Sequence, residues 1–80
     1  MNSAAILDQL QSVFRDVFDD DSITLTEETT ARDIRGWDSV ANIRMILSVE
    51  NEFDVRFDTG EISEFRNVGD LRDAIARLKA

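Results

Sequence analysis

The sequence has no cysteine and no histidine. Without thiols the chain forms neither disulfides nor thiolate metal ligands, and without imidazole it lacks both the usual general base near neutral pH and the commonest metal ligand. Autonomous acid–base or nucleophilic catalysis therefore has little to work with. Proline is absent too, which removes any rigid proline-rich linker. Long apolar runs are also missing. The N-terminus offers only Ile6 and Leu7 before Asp8, far short of a signal-peptide core, and nothing approaches the roughly 20 residues that span a bilayer. A cytoplasmic, soluble protein with no membrane span is expected.

Positive charge is scarce: 9 basic residues face 17 acidic ones, a net charge of −8. Such a surface repels nucleic acid and anionic membranes, so neither is an expected partner, and positive protein patches are favoured. Eighty residues with 42% apolar content hold one domain, residues 1–80, with one modest core, because a chain this short buries only about 60% of its unfolded surface. That core must rely on packing.

Along the chain, Ile6, Leu10, Val13, Phe14, Val17 and Phe18 recur at helical spacing, which predicts a first helix from Ser3 to Phe18 with Asn2 or Ser3 as its cap. The cluster Asp19-Asp20-Asp21-Ser22 stops it, since carboxylates repel one another and are unfavourable at a helix C-terminus. The same cluster lacks the glycine and terminal glutamate of an EF-hand, so it reads as a solvated turn, not a calcium site. From Asp19 to Asp38 no helical period persists. Connections this long are usually functional or mobile, and Ile23, Leu25, Ile34 and Trp37 are placed to pin this one to the bundle. Ile23-Thr24-Leu25-Thr26 alternates like a strand but has no partner, so no sheet is expected.

A second helix is predicted from Ser39 to Phe53, ending at Asp54 in the left-handed conformation that helix ends often need. Val55 and Phe57 lead to a short helical turn, Glu61 to Phe65. Asn67 then caps a last helix with a buried stripe of Leu71, Ile75 and Leu78, and Asp70 is its plausible reciprocal partner. The fold class is all-α: a small four-helix bundle with a long loop between helices one and two and a short third helix.

The second helix has two apolar faces. At 100° per residue, Met45, Ile46, Val49 and Phe53 share an arc of about 100° that faces the core. Val40, Ile43 and Leu47 fall in a second arc of about 60°, nearly opposite, flanked by Arg44 and Asn51. Either the preceding loop folds over this second stripe or it stays exposed as a docking surface. Ser39 stands at the start of the same helix, where unpaired N–H groups and the macrodipole stabilise a phosphodiester. Serine there is ordinarily just a cap.

The motif around Ser39 goes further. Gly36-Trp37-Asp38-Ser39-Val40, followed by Ile43, Met45, Ile46 and Glu50-Asn51-Glu52-Phe53-Asp54-Val55, resembles the acyl carrier protein family's Gly-x-Asp-Ser-Leu signature and its downstream Glu-x-Glu-Phe-Gly-Ile, aligned without a gap. Asn67-Val68-Gly69-Asp70-Leu71 is similar to the family's Thr-Val-Gly-Asp-Leu. The resemblance implies that a phosphopantetheinyl transferase attaches 4′-phosphopantetheine from coenzyme A to Ser39, and that the arm's thiol carries acyl groups as thioesters. It implies acyl-loading and acyl-processing partners of ligase, ketosynthase or acyltransferase class. It further implies recognition through Trp37, Asp38, Val40, Ile43, Arg44 and Leu47, no catalytic residue in the chain itself, and a monomer.

Val40 replaces the usual leucine, Asp54 the usual glycine, and Asn42 and Arg44 occupy exposed positions that are often acidic in fatty-acid carriers. The first is a mild change and the second bears only on the local turn, whereas Asn42 and Arg44 speak against a housekeeping role in fatty-acid synthesis, and Trp37 beside Asp38 resembles stand-alone carriers of specialised pathways, such as polyketide, lipopeptide or surface-glycan assembly. Two other readings stay open: an aminoacyl or peptidyl carrier of nonribosomal type, and an unmodified helical adaptor binding through Val40, Ile43 and Leu47. An enzyme using Asp19 to Asp21, or Glu50 and Glu52, rests only on charge clusters that more often form solvated faces.

Overall fold

Each helix begins where a short polar side chain can take up an orphan N–H. In a computed structural model that describes residues 2–80, α1 spans Ser3–Val17, α2 Ser39–Phe53, α3 Thr59–Glu64 and α4 Val68–Leu78, with no strand among the described residues. The caps are Asn2, Asp38, Asp58 and Asn67; their side-chain oxygens accept from Ala5 N at 2.8 Å, Ala41 N at 2.8 Å, Glu61 N at 2.6 Å and Asp70 N at 2.9 Å. Substituting such a cap by alanine typically costs about 1 kcal/mol.

Several boundaries differ from the sequence reading. Helix α1 ends at Val17, because Phe18 is its C-cap and Asp19 turns left-handed at φ 49°. Helix α3 begins at Thr59 and not Glu61, since Asp58, three residues before Glu61, supplies the cap, and Phe65 lies just beyond its end. Asp70 reaches back to Arg66 N at 3.0 Å, one residue before the expected cap position. Leu78, expected in the buried stripe of α4, is exposed because the last turn runs past the core. Asp54 does adopt the left-handed conformation, φ 54° and ψ 51°.

The core is built from one face of each long helix. Ile6, Leu10 and Phe14 of α1, Met45 and Val49 of α2, and Val68 and Ile75 of α4 are its most deeply buried side chains. Helix α1 packs against both α2 and α4. Each of these apolar side chains contributes roughly 1.5–3 kcal/mol on leaving water.

The long connection, residues 19–38, is ordered by the same core. Ile23, Leu25 and Ile34 are buried in it. Backbone groups beside them find partners outside any sheet: Leu25 N donates to Gln11 Oε1 at 2.9 Å, and the Ile23 carbonyl accepts from Arg15 Nε at 2.8 Å. The strand-like alternation of Ile23 to Thr26 is thus met by side chains of α1. Farther on, the carbonyls of Glu27 and Thr29 accept from Gly69 N at 2.8 Å and Val68 N at 2.9 Å, so the loop saturates the first turn of α4. A single 3₁₀ turn, Ala31–Asp33, completes the path to α2. No helix is long and apolar enough to cross a membrane.

Candidate functional site

Gly36 begins the site because the chain must reverse there. It takes φ +88°, a left-handed value that L side chains rarely adopt. The turn delivers Trp37 onto α1, where its ring lies edge-on to Phe14 at 5.2 Å and tilted against Phe18 at 6.0 Å. Such aromatic pairs are worth about 0.5–1.5 kcal/mol beyond their buried area. The half-buried indole therefore fixes the end of the long loop against a rigid helix.

The next two residues set the start of α2. Asp38 is its N-cap, with extended backbone at φ −107° and ψ −173°. Its carbonyl accepts the first intrahelical bond, from Asn42 N at 2.8 Å, while its carboxylate holds Ala41 N. Ser39 is consequently the first helical residue and not the cap. Its hydroxyl is released from capping, and its side chain is exposed. The N–H groups of Ser39 and Val40 precede that first intrahelical bond, at the positive end of a helix of 15 residues.

Ser39 sits on the edge of a cleft of about 310 Å³ between α2 and the α3–α4 connection. Trp37, Asp38 and Asn42 line it from one side, and Ile62, Phe65 and Arg66 from the other. Met45, Ile46 and Leu71 supply apolar surface. The residues from α3 onward were not legible as part of a site. Only the chain reversal at Asp54 brings them beside α2, and nothing in their local pattern marks that.

On the outer surface of α2, Val40, Ile43 and Leu47 are 67%, 61% and 59% exposed. The loop before α2 does not cover them; it packs toward α1 and α4 instead. Exposed Arg44 lies beside this stripe, with Nη2 3.5 Å from the Val17 carbonyl. Asn42 differs from its expected exposed position. It is half-buried, and its Oδ1 accepts from Trp37 Nε1 at 3.0 Å. The sequence-predicted residues thus fall into two groups: Trp37, Asp38 and Ser39 at the cleft, and Val40, Ile43, Arg44 and Leu47 on the outer face.

No protein-family model matches the chain, and no curated protein matches it. Among solved structures, the chain is similar to the solution NMR structure of a holo acyl carrier protein from Geobacter metallireducens. The two are 46% identical and superpose with a TM-score of 0.86, over 91% of this chain and 84% of that one. Identity at this level across nearly the whole chain, carried on the same all-helical architecture, is what the Asp38-Ser39 motif had implied. The chain belongs to the acyl carrier protein family, and it is a carrier and not an enzyme.

Proposed function

We propose that Ser39 is esterified by the 4′-phosphopantetheine group of coenzyme A, and that residues 1–80 form one monomeric carrier domain serving a specialised biosynthetic pathway. The observation that carries this reading is the division of labour at the start of α2. Asp38 does the capping, which leaves the Ser39 hydroxyl exposed on the helix end best suited to a phosphodiester.

The residues present fit such a group. The N–H groups of the first turn and the helix dipole favour its negative charge. The solvent-facing hydroxyl admits a transferase, and Asp38 is the adjacent recognition residue. When attached, the arm supplies a thiol that holds cargo as a thioester. The chain itself contributes a rigid anchor for that tether, which raises the effective concentration of cargo at each partner active site. The partners are a phosphopantetheinyl transferase together with loading and processing enzymes of ligase, ketosynthase or acyltransferase class. Val40, Ile43 and Leu47 give them an apolar contact. The specialised pathway is favoured by Arg44 and Trp37, which stand where housekeeping fatty-acid carriers often have other residues.

Intact-mass analysis after incubation with coenzyme A and a broad-specificity transferase tests the assignment. One phosphopantetheine adduct is expected on the wild-type chain and none on Ser39→Ala. An adduct on the Ser39→Ala protein would refute the site. An unmodified wild-type chain whose partner binds Ser39→Ala equally well would establish the adaptor reading in its place.

A further inference from the structure

The first eleven residues of α2 break the acidic pattern of this protein. The chain has 17 acidic residues, yet from Ser39 to Val49 it contains no carboxylate and a single cation, Arg44. The two acids at the far end of α2 are tied to other elements: Glu50 Oε2 accepts from Phe57 N at 2.8 Å, and Glu52 Oε2 from Gln9 Nε2 at 2.9 Å. Among the described residues the ion pairs are Arg72 with Glu27 and Asp73, and Arg77 with Glu61. Arg44 belongs to none of them. The exposed stripe of Val40, Ile43 and Leu47 is therefore bordered by a guanidinium that forms no ion pair among the described residues, its Nη2 3.5 Å from the Val17 carbonyl, on an otherwise acidic protein.

Range decides which charge a docking partner feels. The net charge of −8 acts at long distance, but screening confines it to about 8 Å at physiological ionic strength. Once the apolar stripe is in contact, Arg44 is the one charged side chain that α2 itself carries between Ser39 and Val49. A lysine or arginine opposite it would meet a like charge in a partly desolvated rim, whereas a carboxylate would form a charge-assisted and potentially bidentate pair.

We infer that the enzyme docking on α2 presents an apolar hollow for Val40, Ile43 and Leu47 with a carboxylate on its rim facing Arg44, the reverse of the charge that the whole protein attracts. The inference rests on the carrier role proposed above and specifies the partner of that same face.

A charge swap tests it. The probes are a ketosynthase whose docking patch is rich in lysine, and the same enzyme with those lysines replaced by glutamate. Intact mass first establishes that every carrier variant bears its arm, so a failure of the Ser39 assignment is seen separately. The kcat/KM for acyl transfer is then measured for each pairing. The wild-type chain is expected to prefer the glutamate-bearing enzyme, and Arg44→Glu to reverse that preference by roughly tenfold or more. Lys79→Glu makes the same change of net charge beyond the end of α4 and is expected to leave the preference unaltered. An Arg44→Glu preference equal to that of the wild type, or matched by Lys79→Glu, would overturn the inference.

Discussion

The indole N–H of Trp37 donates to Oδ1 of Asn42 across 3.0 Å, a bond that arches over Asp38 and Ser39 and ties the loop's last turn to the first turn of α2. It links the residues on either side of the serine in sequence. Trp37→Phe keeps the ring against Phe14 and loses the bond, at a cost of about 1 kcal/mol. Trp37→Ala removes the aromatic contacts as well and costs more, up to about 3 kcal/mol, because the ring is only half-buried. Urea denaturation of the unmodified chain measures both. If the bond positions Ser39, Trp37→Phe also lowers kcat/KM for arm addition by more than its small stability loss explains.

Substitution separates the capping role of Asp38 from the recognition role proposed for it. Asparagine caps a helix about as well as aspartate, whereas alanine costs about 1 kcal/mol. Asp38→Asn is therefore expected to melt within about a degree of the wild type, and Asp38→Ala several degrees lower. Recognition of the carboxylate by the transferase predicts slower arm addition for both variants. Recognition of the capped geometry alone predicts it only for alanine.

Gly69 reverses the usual rule for helical glycines. Replacing glycine by alanine inside a helix ordinarily gains about 1 kcal/mol. Here a Cβ would lie 2.8 Å from the Glu27 carbonyl oxygen and 3.1 Å from Glu27 Cβ. That carbonyl is also the partner of Gly69 N. Gly69→Ala is expected to destabilise the fold by about 1–3 kcal/mol, because the loop must move off the start of α4. A raised melting temperature in that variant would contradict the tight docking of loop on helix.

Charge should act on stability at two ranges. With a net charge of −8 the compact state repels itself, so moderate NaCl is expected to raise the melting temperature. Locally, the Ser22 hydroxyl and then the Ser22 N–H donate to the Asp20 carboxylate and hold its pKa below the ordinary aspartate range. A folded pKa lower than the unfolded one stabilises the protein above the unfolded value, and that contribution is lost as pH falls through the folded value. NMR titration should find the Asp20 midpoint moving up toward that of a free aspartate in Ser22→Ala.

Much of the architecture follows from local chemistry. The 3.6-residue recurrence of Ile6, Leu10 and Phe14 in α1, and of Leu71 and Ile75 in α4, requires helices with one wet face, and Asn2 and Asn67 mark their starts because short polar side chains satisfy orphan N–H groups. The position of Ser39 at the head of α2 and the double-faced pattern of that helix are equally local, so both were readable.

Only the tertiary structure decided which apolar face stays wet and what lies across from Ser39. Helical periodicity gives Val40, Ile43 and Leu47 a common side but cannot say whether the loop covers it. That depended on Leu25 and Ile23 finding Gln11 and Arg15, and on Glu27 and Thr29 finding the first turn of α4. The cleft beside Ser39 likewise needs Ile62, Phe65 and Arg66 brought back by the chain reversal after α2. Contacts between residues distant in sequence form because they fill one shared core, and no local pattern encodes that partner choice.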